Sequence, residues 1–578
     1  MLAAALAAAD GLRAGDTSTR ARSTLCPIPD QPSVPRSRRT VSLLRDEATP
    51  ASWTVEASGD ELEVSLEPGE RWWGGAVADG RHMPFGTRPH TRDLARSAGM
   101  LDNELQGANQ SCPLLLSTRG RVVWSERPFA FAFADGRLRL TGREVVLGRG
   151  GTTLREAFRA ASARFFPPSG HAPARELFTG PQYNSWIELP YTPTQDGVLA
   201  YARGLLDSGL PPGVVMIDDC WAEDYGTWRF DRARFPDPAA MVAQLHEWGC
   251  SVMLWVVPFV SPDSATFRLL ESRGLLIRDN AGDPVVRRWW NGLSAMLDLT
   301  DPGAVAWLHG ELGALVAETG VDGFKFDAGD VVHYRFDDVT AGRGEPVDLC
   351  EAWARVGLRY AFNEYRACWK TAGKPLAQRL HDKPPAWGGD GIESLVPELL
   401  AQSLLGHPFT CPDMVGGGEL NAVTEAGTVD QEFFVRYAQV AALAPMMQFS
   451  LSPGRVLDGD HREAVAEAVA VRQELLPLIL ALVDHAAATG EPVVRPMAYH
   501  ADGLEDVTDQ FFLGADLIVA PVLQKGATDR KVLLPAGTWQ ADDGTVVEGP
   551  ATITARVDLR RIPRFRRYGK PAPATGRF

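Results

Sequence analysis

Two short blocks of this 578-residue chain carry carboxylates in settings suited to covalent chemistry. In Gly323-Phe324-Lys325-Phe326-Asp327-Ala328-Gly329-Asp330, strand alternation sends Phe324 and Phe326 one way and Lys325 and Asp327 the other. A lysine two residues from a carboxylate on one face favours the ionised form that a nucleophile requires. A buried Lys–Asp ion pair supporting the fold has the same pattern. In Trp387-Gly388-Gly389-Asp390, two glycines allow a sharp turn and the close approach of a ligand. The indole beside Asp390 is expected to disfavour the charged carboxyl, as suits a proton donor. A glycine turn ending in a solvent-facing Asp is the competing reading.

Strands must hold these groups. After about Phe165, short apolar runs alternate with helix-length amphipathic segments. Val214–Asp219, Ser251–Phe259, Gly323–Asp327, Leu376–Leu380, Ala386–Asp390, Pro408–Asp413 and Met446–Phe449 read as buried strands, preceded by Gln182–Ile187. Asp237-Pro238 and Asp301-Pro302 open helices that stop at Gly249 and Gly320. The pattern predicts an α/β chain whose centre is a (β/α)8 TIM barrel over 166–488, with Leu275–Thr300 as its main insertion, a hairpin around Asn280-Ala281-Gly282. Active groups of such barrels lie at the C-terminal ends of strands, where Asp218-Asp219, Asp327, Asp390 and Asp413 are expected. Asp is depleted in strands and rarely buried without a partner, so four such ends point to a site. One carboxyl kept ionised and one kept protonated on separate strand ends form the constellation for glycoside hydrolysis. Trp186, Trp255, Trp290 and Arg379, at or just beyond strands, are candidates to hold a sugar; Trp255 and Trp290 suit core packing equally well.

The flanks read differently. Residues 1–40 show no clear period and are expected to form a poorly ordered tail. Over 41–165, Leu62, Val64 and Leu66 alternate with Glu61, Glu63 and Ser65, and Asp135-Gly136 separates two alternating runs. This predicts an antiparallel N-terminal β-sandwich. Over 489–578, strand-like runs with turns at Pro535-Ala536-Gly537 and Asp542-Asp543-Gly544 predict a small C-terminal β-domain. Composition narrows the partners. A net charge of −15 argues against nucleic acid, since the one short basic patch is Arg560, Arg561, Arg564, Arg566 and Arg567. No apolar run reaches the ~20 residues that span a bilayer, and Met1–Ala9 lacks a basic flank. Seven cysteines with no C-x-x-C spacing fit a reducing compartment, so a cytoplasmic location is expected, with secretion left open. Sixteen tryptophans suit stacking on sugar rings as well as core packing. A glycoside or oligosaccharide is the expected partner, and self-association into a homo-oligomer stays open.

Several blocks resemble glycoside hydrolase family 31, over about residues 70–567. They are Ile217-Asp218-Asp219-Cys220-Trp221, Met253-Leu254-Trp255-Val256-Val257-Pro258-Phe259, Phe324-Lys325-Phe326-Asp327, Trp387-Gly388-Gly389-Asp390 and Pro412-Asp413-Met414-Val415-Gly416-Gly417, in that order. The resemblance implies a retaining α-glycosidase, with Asp327 as nucleophile and Asp390 as acid/base. It places Asp218, Trp255, Trp290, Lys325, Arg379 and Asp413 in sugar subsite −1 and needs no metal or cofactor; Asp219, Trp186 and Trp387 complete the candidate binding set. Met446-Met447-Gln448-Phe449-Ser450 stands where the family's α-glucosidases usually carry a His. That departure, with Arg288-Trp289-Trp290-Asn291-Gly292, is similar to the myogenesis-regulating glycosidase branch, whose animal member is an α-galactosidase. An α-galactoside or α-glucoside is therefore the expected substrate. An α-xylosidase, a sulfoquinovosidase, a transglycosylase on the same site and a catalytically silent sugar-binding protein are the alternatives.

Overall fold

The computed structural model describes residues 53–95, 110–423 and 428–569; the expected tail at 1–40 lies outside them. At its centre eight short parallel strands follow one another around a barrel: β1 (Gln182–Asn184), β2 (Val214–Ile217), β3 (Ser251–Val256), β4 (Gly323–Phe326), β5 (Phe362–Tyr365), β6 (Gln378–Arg379), β7 (Thr410–Cys411) and β8 (Gln448–Phe449). Neighbours pair in chain order, β8 pairs with β1, and a parallel bridge from Val415 to Phe449 closes the gap after β7. The barrel is thus the one expected, with one strand exchanged. Ala386–Asp390 is a loop, because Gly389 takes a left-handed φ of +64° and Gly391 packs against the Ala386 carbonyl. The fifth strand is Phe362–Tyr365 instead, whose inward residue is a glutamate and not an apolar side chain.

Helices cover the outside, and their ends follow from local chemistry. Asp237 caps Pro238–Glu247 by accepting from the Ala240 N–H, and Asp301 caps Pro302–Thr319 through the Gly303 N–H. Both helices place a proline in the first turn, where no N–H is needed. Gly320 ends the second in the left-handed region, and its face of Leu308, Leu312 and Leu315 is buried. The insertion forms a turn at 279–283 and then a hairpin, Val286–Trp289 with Gly292–Met296, whose tip carries Trp290 and Asn291.

The N-terminal β-sandwich is an antiparallel, branched set of strands from Thr54–Ser65 to Arg137–Arg149. Phe129, Phe131 and Phe133 point into its core, and Asp135-Gly136, both at positive φ, turn the chain into the next strand. One barrel segment joins this sheet: Cys368–Trp369, just after β5, pairs with Gln110 and Ser111. The C-terminal domain is a six-stranded sheet. Pro535-Ala536-Gly537 is not a turn there. It is a register shift inside the single strand Asp529–Ala541, where proline needs no ladder N–H and the Pro535 carbonyl accepts from Trp539 Nε1 at 2.9 Å. Three arginines of the basic patch are ion-paired within the chain: Arg560 with Glu463 and Glu467, Arg561 with Asp542 and Asp543, and Arg567 with Asp516. No described helix is long and apolar enough to cross a membrane.

Candidate active site

Barrel register decides which side chains meet. Trp255 of β3, Lys325 of β4 and Glu364 of β5 are Cα partners across neighbouring strands, so all three point inward at one level. Phe324 and Phe326 point outward onto Tyr360, Trp353 and Tyr365, as alternation requires. Asp327 follows β4 directly and lies above Lys325. Its Oδ2 accepts from Trp255 Nε1 at 2.8 Å; its Oδ1 accepts from Arg366 Nε at 2.7 Å and from the Ala328 N–H at 2.7 Å. Burial alone would raise its pKa, but the Arg366 guanidinium, then Lys325 and Arg379, more than offset this and hold the carboxyl far below the usual range. Asp327 is therefore an anion in a largely buried, donor-lined position.

Lys325 Nζ joins two strand ends, donating to Asp218 Oδ2 at 2.7 Å and lying 3.6 Å from Asp327 Oδ2. The neighbouring Asp219 turns away. It accepts from Tyr225 Oη at 3.1 Å and from Asn291 Nδ2, tying the hairpin tip to β2, and burial with the adjacent Asp218 pushes its pKa up to about 6. Arg379 and Asp413 meet as a fully buried ion pair, and Arg379 also reaches Asp382 at 2.9 Å and Glu364 at 3.4 Å. Burial pushes the Glu364 carboxyl up against the pull of Arg379. Gln448 points into the barrel, donating to Glu364 Oε2 at 2.8 Å and to Gln182 Oε1 at 2.6 Å. Its amide is thus committed to the barrel interior.

The indoles divide by role. Trp255 is 2% exposed and acts through its N–H. Trp290 is half-buried and lies under the Arg366 guanidinium, 5.1 Å from Cζ to the ring centre. Trp186 is half-buried after β1 and donates to the Gly418 carbonyl at 2.9 Å. Trp387 is the correction. Its Nε1 donates to Asp430 Oδ2 at 3.0 Å and its ring packs edge-on against Phe433, so it gives Asp390 no apolar cover.

Asp390 accordingly has polar neighbours. His381 Nε2 lies 2.9 Å from Oδ2, and Lys383 Nζ donates to Oδ1 at 2.9 Å. Burial raises this carboxyl, but the hydrogen bond and charge of His381, followed by Lys383, outweigh it and hold the group well below the ordinary range. The expectation of a carboxyl kept neutral by an indole is overturned. Potential metal-donor atoms of His381, Asp390 and Glu398 converge within 4.8 Å. The Lys383 ammonium already fills that space, bonded to Asp390 and Glu398 and 3.1 Å from His381 Nε2, so the cluster carries its own cation.

Arg366, Glu364, His381 and Lys383 did not emerge from the sequence reading. A signal existed for the first two: Glu364 and Arg366 are two apart around Tyr365, the same alternation that marked Lys325 and Asp327. His381 and Lys383 lie in an irregular stretch after β6, where no periodicity guides the eye.

Comparison with known proteins agrees with this fold. The family model for the glycosyl hydrolases family 31 TIM-barrel domain matches residues 180–482, and that for the family's C-terminal domain matches 490–570. The chain is 35% identical over 422 residues to the myogenesis-regulating glycosidase of Mus musculus, covering 70% of this chain and 58% of that protein. It is 26% identical over 396 residues to the alpha-xylosidase XylQ of Lactiplantibacillus pentosus, covering 64% of this chain and 50% of that protein. The chain thus spans between half and two thirds of the length of these relatives. Among solved structures, a Flavobacterium johnsoniae dextranase complexed with glucose superposes with a TM-score of 0.77 at 18% identity, covering 88% of this chain and 66% of that one. A sulfoquinovosidase from E. rectale gives 0.76 at 18% identity, covering 88% and 82%. With a family barrel model matched over more than half its length and the strand-end carboxylates in place, the chain belongs to glycoside hydrolase family 31.

Proposed function

We propose that the chain is a retaining α-glycosidase that removes a terminal α-linked sugar through a covalent glycosyl-enzyme on Asp327. One observation carries the reading: an ionised carboxylate at the end of β4, held by Arg366, Trp255 and the Ala328 N–H and facing the barrel mouth with Lys325 and Asp218 beneath. A carboxylate kept ionised in a buried site is a nucleophile in waiting, and its fixed donors limit the side chain to one orientation. In the first step a bond forms from Asp327 to the anomeric carbon as the glycosidic C–O bond breaks, and Asp390 gives its proton to the departing oxygen. In the second, Asp390 takes a proton from water, whose oxygen displaces Asp327.

The substrate reading is an α-galactoside or α-glucoside. Gln448-Phe449-Ser450 supplies no imidazole at the end of β8, which removes a hydroxyl contact typical of glucose recognition and makes the α-galactoside the first substrate to test. The relatives include alpha-xylosidases and sulfoquinovosidases, so aryl α-xyloside and α-sulfoquinovoside complete the screen. A 5-fluoro glycosyl fluoride of the sugar turned over tests the mechanism: the expected result is one sugar on the peptide containing Asp327. Turnover without that labelled peptide overturns the nucleophile assignment; no turnover and no label, with sugar binding retained, identifies a silent sugar-binding barrel. Products extended by an added acceptor sugar identify a transglycosylase.

A further inference from the structure

The loop after β6 turns back against the helix Ile392–Leu404, and an unusual set of charges closes around Asp390. Lys383 Nζ is bonded to Asp390 Oδ1 at 2.9 Å, to Glu398 Oε2 at 2.6 Å, and lies 3.1 Å from His381 Nε2. His381 Nε2 is 2.9 Å from Asp390 Oδ2, and His381 Nδ1 is 3.8 Å from Glu398 Oε2. The Lys383 and Glu398 side chains are at most 1% exposed and His381 is 7%, whereas Asp390 is 34% exposed. Asp390 is thus the open edge of an otherwise closed cluster.

An acid/base carboxyl must start the first step protonated. Lys383 Nζ is bonded between the Asp390 and Glu398 carboxylates. The contact between Asp390 Oδ2 and His381 Nε2 differs, because one proton can reside on either atom: an imidazole N–H donating to a carboxylate, or a carboxylic acid donating to the nitrogen lone pair. We infer that the acid/base proton is stored across this contact, with His381 as the positioning residue that reloads Asp390 and Lys383–Glu398 as the pair that fixes both. The inference rests on the reading of Asp390 as acid/base. In glycosylation the proton passes from Nε2 to Oδ2, and from the carboxyl to the glycosidic oxygen as its bond to the anomeric carbon breaks; His381 is left neutral. In deglycosylation Asp390 takes a proton from water as the water oxygen bonds to the anomeric carbon and the ester to Asp327 breaks. That proton returns to Nε2, and the cycle closes with no net change.

Four other charged side chains surround the cluster. Asp382 pairs with Arg379 at 2.9 Å, and Glu393 accepts from the Gly389 N–H at 3.2 Å. The Glu419 carboxyl faces the cluster, pushed up by burial, Asp382 and Asp390 against the pull of His381 and Lys383, and Arg81 of the N-terminal domain lies 3.9 Å from where a Gly389 side chain would begin. Neither is bonded to His381. The basic limb of the first step should therefore belong to the Asp390–His381 pair as a unit.

The test compares wild type, His381→Gln and Asp390→Ala on 4-nitrophenyl and methyl α-glycosides of the sugar turned over, across pH. Glutamine keeps an N–H donor but stores no proton. His381→Gln should lose on the order of 10²-fold or more on the methyl glycoside, under about 10-fold on the aryl one, and its basic limb should fall by about one pH unit or more. A basic limb in the wild-type position overturns the inference. If Asp390→Ala lowers kcat/KM equally for both substrates, the acid/base reading itself is lost, and the inference with it. Labelling of Asp327 by the fluoro sugar certifies that the variant is folded. Should it not fold, ¹⁵N-histidine NMR of the wild-type chain and Asp390→Asn reads the same pair: the His381 titration should move between the two, and an unmoved midpoint overturns the proposal.

Discussion

Arg366 donates through Nε to Oδ1 of Asp327 at 2.7 Å, and its guanidinium also reaches Asp330 at 3.3 Å. It is the largest favourable influence on the ionised form of Asp327. Arg366→Met should lower kcat on every substrate by about 10²–10³-fold, the scale on which fixed donors at a reacting charge operate. The sign of the pH effect follows. Asp327 must be ionised to attack, and Arg366 holds its carboxyl down; without Arg366 the carboxyl protonates at a higher pH. The acid limb of kcat/KM should therefore move upward, and an acid limb in its original place would exclude this role.

Trp255 holds the other oxygen of Asp327, and its ring is packed against Trp289 and Tyr225. Trp255→Phe keeps most of that packing and removes one N–H. A hydrogen bond to a charged group contributes about 1.5–3 kcal/mol, so a loss of roughly 10- to 100-fold in kcat is expected, with little change in the unfolding midpoint. Steady-state kinetics beside a urea titration separate the two. A fall in stability with unchanged kcat would place the indole in the core alone.

Strand-end aspartates made the first half of the site legible in the sequence. Apolar runs around Asp218 and Asp327 gave strands, and alternation gave the inward face. The same logic failed at Glu364, since a strand whose inward residues are Glu364 and Arg366 lacks the continuous apolar run by which buried parallel strands are recognised. Ala386–Asp390 has the length of the missing strand and ends in an aspartate as the others do, yet glycine at positive φ turns it into a loop. Trp387 misled for a related reason. Adjacency in sequence says nothing about which way a loop residue faces, and the indole points to Asp430 and Phe433.

Asp390 should show leaving-group dependence. Asp390→Ala should spare kcat/KM for 4-nitrophenyl glycosides, whose leaving group departs without a proton, and lower kcat/KM for disaccharides by about 10²–10⁴-fold. Added azide should restore the second step on the aryl substrate by attacking the glycosyl-enzyme from the space the carboxylate left. A β-glycosyl azide instead of the α-anomer would contradict retention.

The barrel end also depends on the N-terminal domain through one amide. Gln110 Nε2 donates to the carbonyl of Arg366 at 2.8 Å and to that of Arg379, while its Oε1 accepts from Gln402 Nε2 at 2.7 Å. One buried side chain therefore pins the backbone beneath two arginines, one on Asp327 and one on Asp413. Gln110→Ala leaves two buried carbonyls and the Gln402 amide short of partners, and each such loss costs about 1–3 kcal/mol. The urea midpoint should fall, and kcat should fall with it because Arg366 loses its anchor; KM for an aryl glycoside should change less. The coupling is what distinguishes this from a plain packing defect. If the midpoint drops while kcat and the acid limb stay in place, the ends of β5 and β6 hold their arginines without help from the N-terminal sheet.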